Sequence, residues 1–188
     1  MKTLVCLLEE PSAKEMLKVV LPKILPDEIG LKFIVFEGKQ DLEKQIKRKL
    51  RSWLAPDSYF LVMRDQDSGD CHTVKNGLIE KVEQAGKTGS SLIRIACREL
   101  ESFYLGDLLA VEQGLELSGI AKQQHKAKYR YPDNVANAKD ELVRITKNQY
   151  KEISGSRAIA PHLKLDRTNR STSFNILLDG VLGLVSGD

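Results

Sequence analysis

The stretch FLVMRDQDSGDC, from Phe60 to Cys71, passes from an apolar run into three aspartates within six residues, Asp65, Asp67 and Asp70. Asp65 and Asp67 form an Asp-x-Asp at the end of that run, and in extended backbone this spacing aims both side chains the same way. Such a pair suits a hard divalent cation: Mg2+ takes oxygen ligands, uses one or two carboxylates and keeps several waters. Metals held in that way serve phosphoryl chemistry. Asp70 lies beyond the strand and reads as the cap of the next turn or helix. Two more acids, Glu9 and Glu10, end an earlier apolar run, and Glu99 and Glu101 follow a later one. Gathered without partners, these carboxylates would repel one another and their pKa values would rise. The remedies are a neighbouring base such as Arg64 or a divalent cation.

The elements that must position these acids follow from apolar patterning. Residues 3–8 (TLVCLL) form a continuous apolar run, the mark of a parallel strand buried on both faces. Ser12 and Glu15 have the spacing of a capping box, opening a helix that Pro22 ends or kinks. Residues 32–36 are a second strand, broken at Gly38. A periodic helix follows, with Leu42, Ile46, Leu50, Trp53 and Leu54 on one face and Lys44, Lys47, Arg48 and Arg51 on the other, the latter read as solvated. Residues 58–63 are the third strand, a helix runs around Val74–Gln84, and residues 90–96 are the fourth strand. The segment CRELESFYLGD turns into a helix reaching Leu109 or Gln113. Strand and helix in steady alternation predict an α/β fold, with a sheet of about four mainly parallel strands flanked by helices.

After Gly114 the rhythm changes. Residues 119–137 read as loop, Ala138–Tyr150 as helix, SGSRAIAPHL as an ordered loop or turn, and the C-terminal segment as a capped helix from about Ser171 or Ser173. The expected division is a core over 1–114 and a basic, mostly helical extension over 115–188 packed on it. Ligands of open α/β sheets bind at the carboxyl ends of the strands. In a 2-1-3-4 order, Glu9 and Glu10 would face Asp65 and Asp67 there, with Glu101 beside them.

A chain of 188 residues with 41% hydrophobic and 29% charged residues suits a soluble globular protein. No apolar run approaches the roughly 18–20 residues that cross a bilayer. The short N-terminal apolar stretch runs into Glu9 without a cleavage site, so it reads as a strand, and a cytoplasmic protein with no membrane association is expected. Three cysteines without a CxxC pair indicate neither a zinc knuckle nor a disulfide framework. The net charge of +3 is uneven: residues 122–170 hold twelve Lys and Arg against five Asp and Glu. Such a stripe suits a polyanion as well as a solvated surface. Within KQQHKAKYRYP, Tyr129 and Tyr131 could stack on nucleobases while Lys126, Lys128 and Arg130 meet phosphates. Arg157, Arg167 and Arg170 are further candidates for phosphate contact, with a structural ion pair an equal reading for Arg157.

LVCLLEEPSAKEML resembles the first motif of Toprim domains, an apolar strand ending in a glutamate before a helix. YFLVMRDQD resembles the second, a strand ending in Asp-x-Asp, in the same order and at a fitting distance. IACRELESFYLGD and SGSRAIAPHLKLDRTNRSTSF resemble a small bacterial Toprim-like family found beside ABC-type ATPases, to which the Toprim effector of the PARIS anti-phage system is related. The resemblance implies a Toprim-like sheet and Mg2+-dependent nucleic acid scission, with Mn2+ an alternative metal. Asp65 and Asp67 would hold the metal, with Glu9 as a further ligand or general acid/base and Glu101 supporting catalysis. In that motif glycine usually follows the glutamate; here Glu10 stands there, so either Glu9 or Glu10 could be the catalytic acid. The resemblance also implies a nuclease gated by an ABC-type ATPase partner in defence. DNA against RNA as substrate, and monomer against homodimer, stay open. One alternative is a non-catalytic Toprim-like module that binds an ATPase or nucleic acid. Another, a receiver-like phospho-acceptor, would want a lysine after a fifth strand, and none stands out.

Overall fold

The computed structural model describes residues 2–187. Four strands, β1 (Thr3–Leu8), β2 (Gly30–Val35), β3 (Ser58–Asp65) and β4 (Ser91–Ala96), form one all-parallel sheet in the order β2-β1-β3-β4. The connecting helices are α1 (Pro11–Ile24), α2 (Lys39–Arg51) and α3 (Cys71–Gln84). After β4 come α4 (Glu101–Leu105), α5 (Leu108–Gly114), three short 3-10 turns between Ala121 and Asn134, α6 (Ala138–Ile145), α7 (Glu152–Ile159) and α8 (Thr172–Ser186). No helix among the described residues is long and apolar enough to cross a membrane.

The period-2 alternation of the strands divides the core. Val5, Leu7, Phe60, Val62, Ile93 and Ile95 face α2 and α3, packing on Leu42, Ile46, Leu50, Leu78 and Val82. Leu4, Cys6, Leu8, Leu61 and Met63 face the other way, into a larger core built from α1 and from helices after β4. That core takes Met16 and Leu17 from α1, Phe103 and Tyr104 from α4, and Leu142, Ile159 and Phe174 from the C-terminal segment. The 115–188 segment therefore shares one core with the sheet. The chain leaves β1 toward one edge and β3 toward the other, so right-handed crossovers put α1 on one face and α2 and α3 on the opposite one.

Several local expectations are corrected. Glu10, not Ser12, is the N-cap residue of α1. The Ser12 hydroxyl donates back to the Glu10 carboxylate, and Glu15 pairs with Arg157 at 2.7 Å, so no capping box forms. Helix α1 also continues past Pro22 to Ile24. Leu54 is 88% exposed, because α2 stops at Arg51 and its period is not carried further. Helix α6 ends five residues short of Tyr150, where Lys147 and Asn148 both take positive φ. SGSRAIAPHL is not a loop. Glu152–Ile159 is helical and packs on α1, since burying Gly155, Ser156 and Ile159 there outweighs weak helix propensity. Ser171 caps α8 through the Phe174 amide, and Asp70 caps α3 through the Thr73 amide at 2.8 Å, both as expected.

Candidate functional site

The carboxyl ends of β1 and β3 adjoin where the sheet's connections reverse direction, the position at which open α/β sheets bind ligands. Strand parity sorts the acids there into two groups. Arg64 follows the parity of Phe60 and Val62 and points toward α2, whereas Asp65 follows Leu61 and Met63 and points toward α1 and α4. Past Asp65 the strand ends, and Asp67 adopts φ +55°. That turn breaks the alternation, so the two aspartates of the Asp-x-Asp diverge.

On the α2 side, Glu9 is pinned between strand and helix. Its amide donates to Met63 O (3.2 Å) and its carbonyl accepts from the Gly38 amide (3.2 Å). Its carboxylate accepts from the Asp65 amide at 3.0 Å and lies 3.8 Å from Arg64 Nε. Arg64 is 5% exposed; it also pairs with Glu43 and lies 3.6 Å from Asp67. Asp67 Oδ2 is 2.8 Å from Lys39 Nζ at the head of α2. On this side Glu9, Glu43 and Asp67 share the positive charges of Arg64 and Lys39. Burial still raises the Glu9 pKa, against the opposing pull of the Asp65 amide and Arg64.

On the other side three carboxylates meet with less relief. Burial, joined by the charges of Glu10, Glu101 and Glu9, holds the Asp65 pKa well above the carboxylate range. Glu101, in the first turn of α4, is 3% exposed, and burial pushes its pKa up to about 7 even though it accepts from the Tyr150 hydroxyl at 2.8 Å. Burial raises Glu10 as well; the Ser12 hydroxyl opposes the shift, and Glu9 and Glu152 add to it. Lys139 sits on the rim, but Glu152 engages its ammonium. Glu99 is spent elsewhere, accepting from the Lys139 amide at 2.8 Å. The Tyr104 hydroxyl is fully buried, has no hydrogen-bond partner among the described residues, and faces the charges of Glu101, Glu10 and Asp65. A buried hydroxyl left in that state costs about 1–3 kcal/mol.

Among the described residues no group of three or more His, Cys, Asp or Glu is already spaced to hold a metal ion. The expected set of Glu9, Asp65 and Asp67 is split between the two sides. The residues nonetheless suit a hard cation. Asp65, Glu10 and Glu101 are all oxygen donors whose ionised forms have as counter-charge only the rim Lys139, already engaged by Glu152, and an unsatisfied hydroxyl stands among them.

The residues expected to meet nucleic acid are scattered and mostly engaged. Tyr129 cannot stack on a base: it is fully buried and its hydroxyl bonds Glu141. Lys128 pairs with Glu141 at 2.5 Å, as does Arg144 at 2.7 Å, and these bonds outweigh burial to hold Glu141 at about 2. Arg157 is the structural ion pair with Glu15. Arg167 pairs with Asp179 at 2.5 Å, and Arg170 donates to Gln124 O at 2.7 Å. Lys126 and Arg130 are exposed, Lys126 with only a bond to Gln123, and Tyr131 is 65% exposed.

Tyr104 and Tyr150 are residues that patterning did not single out. Tyr150 reaches Glu101 because Gly155 of α7 has no side chain; a Cβ there would lie 2.5 Å from the Tyr150 ring. The two late segments also meet. Asn169 donates to Phe103 O (3.0 Å) and the Arg170 amide donates to Gly106 O (3.1 Å), docking the 169–171 turn on α4. A Cβ on Gly106 would lie 2.0 Å from Asn169 Oδ1, so that contact needs glycine.

A family model described as a domain of unknown function, DUF4276, matches residues 8–182. No curated protein and no solved structure matches the chain. With the match extending from the end of β1 into α8, the chain belongs to the DUF4276 family.

Proposed function

We propose that the protein is a Mg2+- or Mn2+-dependent nuclease that hydrolyses nucleic acid phosphodiesters at the β1–β3 crevice. The observation that carries this reading is the meeting of Asp65, Glu10 and Glu101 at the switch point with their ionised forms under-compensated. Asp65 and Glu10 would hold the metal. When bound, it would supply Lewis-acid polarisation of a phosphoryl oxygen and a more acidic water. Glu101, with a pKa near 7, is matched to moving a proton at neutral pH. Tyr150 fixes the Glu101 carboxylate through its 2.8 Å hydrogen bond, and Glu9 holds the end of β3 through the Asp65 amide. Asp67, paired with Lys39, is assigned to shaping the crevice rim. The Toprim resemblance adds the expectation of an ABC-type ATPase partner and a role in anti-phage defence.

The test is cleavage of RNA and DNA with Mg2+ or Mn2+, by the protein alone and with an ATPase encoded beside it. Wild type should cut, while Asp65→Asn and Glu10→Gln should not. Activity that survives both substitutions would sink the site. The absence of a ready three-ligand group favours a second reading, a non-catalytic module that binds nucleic acid or an ATPase. A wild-type protein that binds such a partner and never cuts in either assay would support it.

A further inference from the structure

Helix α2 carries six Lys and Arg against two acids. Its buried face is Leu42, Ile46 and Leu50, which leaves Lys44, Lys47, Arg48 and Arg51 along one outer ridge at i, i+3, i+4 and i+7. Like charges at that spacing disfavour a helix unless something offsets them. Here Asp41 lies beside Lys44, but no carboxylate bonds the four directly. Lys47 donates to Gln84 Oε1 (2.8 Å), Arg51 to Gln84 O (2.9 and 3.2 Å) and Arg48 to Gln45 Oε1 (2.9 Å), all neutral acceptors. No salt bridge to these four cations occurs among the described residues. The 122–170 segment differs: its Lys128, Lys139, Arg144, Arg157 and Arg167 are paired with carboxylates. The other seven basic residues there carry no salt bridge among the described residues, but they are spread over separate turns and do not line one ridge.

The ridge is also placed to matter. Lys39 and Glu43 of α2 bond Asp67 and Arg64, so the helix starts at the lip of the crevice and leads away from it. Lys44 to Arg51 spans about 10 Å at 1.5 Å per residue, the length over which one strand of a duplex presents about three phosphates. Shallow hollows of about 500 and 360 Å3 lie between Lys44, Lys47, Arg48 and Arg51 and between Asp41, Lys44, Gln45 and Arg48.

We propose that this ridge of α2 is the surface on which the phosphate backbone of a nucleic acid lies as it approaches the carboxylates. The assignment rests on the nuclease reading for its destination, but its test does not need cleavage. Fluorescence anisotropy of labelled 20-nucleotide single strands and duplexes of DNA and RNA, in EDTA at 50–300 mM salt, measures binding alone. Lys44→Gln/Lys47→Gln/Arg48→Gln/Arg51→Gln should lose at least about tenfold in affinity at 100 mM salt and flatten the logarithmic salt slope by about 3. The milder Lys44→Gln/Arg48→Gln, at two exposed side chains, should flatten it by about 2. The charge-retaining Lys44→Arg/Lys47→Arg should bind as wild type. A matched control, Lys18→Gln/Lys122→Gln/Lys147→Gln/Lys164→Gln, removes four exposed charges elsewhere and should change binding by less than about twofold. Wild type that binds none of the probes, α2 variants that bind as wild type, or a control that loses as much as they do would each overturn the proposal. Binding through α2 without cleavage would overturn only the nuclease reading.

Discussion

Asp65 and Asp67 are two residues apart and live in opposite electrostatic surroundings. Asp67 has turned out of the strand to meet Lys39 at 2.8 Å, with Arg64 and Glu9 behind it. Asp65 keeps the strand's parity and is buried against Glu10 and Glu101. The first half of the crevice is an ion-pair network that closes on itself. The second is a set of acids held together by the fold around them, short of positive charge. An Asp-x-Asp is thus not a unit. Backbone conformation at its second member decides whether it acts as a pair.

The sharpest way to break this comparison is to neutralise each aspartate in turn. Asp65→Asn should lower metal-dependent cleavage by about 10³-fold, because it would lose the metal, whose transition-state stabilisation is worth several kcal/mol. Asp67→Asn should lower it by no more than about tenfold. Equal losses would mean that both aspartates serve the metal.

The next largest effect falls on the closed network. Arg64→Leu leaves Glu9, Glu43 and Asp67 without their shared cation; removing one partner from a fully buried ion pair costs about 3–5 kcal/mol, and the loss here falls at the lower end because Glu43 and Asp67 are partly exposed and Asp67 keeps Lys39. Urea unfolding should show that loss. A change below about 1 kcal/mol would mean that the α2 side is not organised by Arg64.

Somewhat smaller is the pH dependence of the other half. Glu101 has a folded-state pKa raised from 4.5 to about 7. A raised carboxyl contributes stability that is complete below about pH 4.5 and is lost as pH rises through about 7. The loss is on the order of 3 kcal/mol. Thermal melts should therefore show less stability at pH 8 than at pH 5 in wild type, with a flatter dependence in Glu101→Gln. Mg2+ or Mn2+ should stabilise wild type at pH 8 and do little at pH 5. The smallest effect belongs to the third aspartate of the opening stretch. Asp70→Ala removes only the α3 cap, and should lower Tm by a few degrees without altering cleavage.

Much of the fold was legible because strand and helix alternate with distinct periods. The four strands, the buried stripe Leu42–Ile46–Leu50 and the caps at Asp70 and Ser171 follow from local pattern, and the strand order is the one on which the acids were expected to gather. The gathering of Glu9, Glu10, Asp65 and Glu101 at one sheet edge followed from that order. What local pattern could not reveal was orientation. Glu10 joins Asp65 because it caps α1 on the α4 side of the sheet, and nothing in its spacing from Glu9 says so. Tyr150 reaches Glu101 across 49 residues through a turn of left-handed residues and a glycine in α7. The basic residues of 122–170 show the same limit of local pattern. Charge in sequence says nothing of its partner in space: Glu15, Glu141, Glu152 and Asp179 take up Lys128, Lys139, Arg144, Arg157 and Arg167, while the other basic residues of the segment carry no salt bridge among the described residues.

The most direct test of the central claim is calorimetric titration of Mn2+ into wild type, Asp65→Asn and Asp67→Asn at pH 7.5, without nucleic acid. Binding by wild type with at least one ion per chain, abolished in Asp65→Asn and retained in Asp67→Asn, is the predicted result. No binding by wild type, or binding that Asp65→Asn leaves intact, would contradict it.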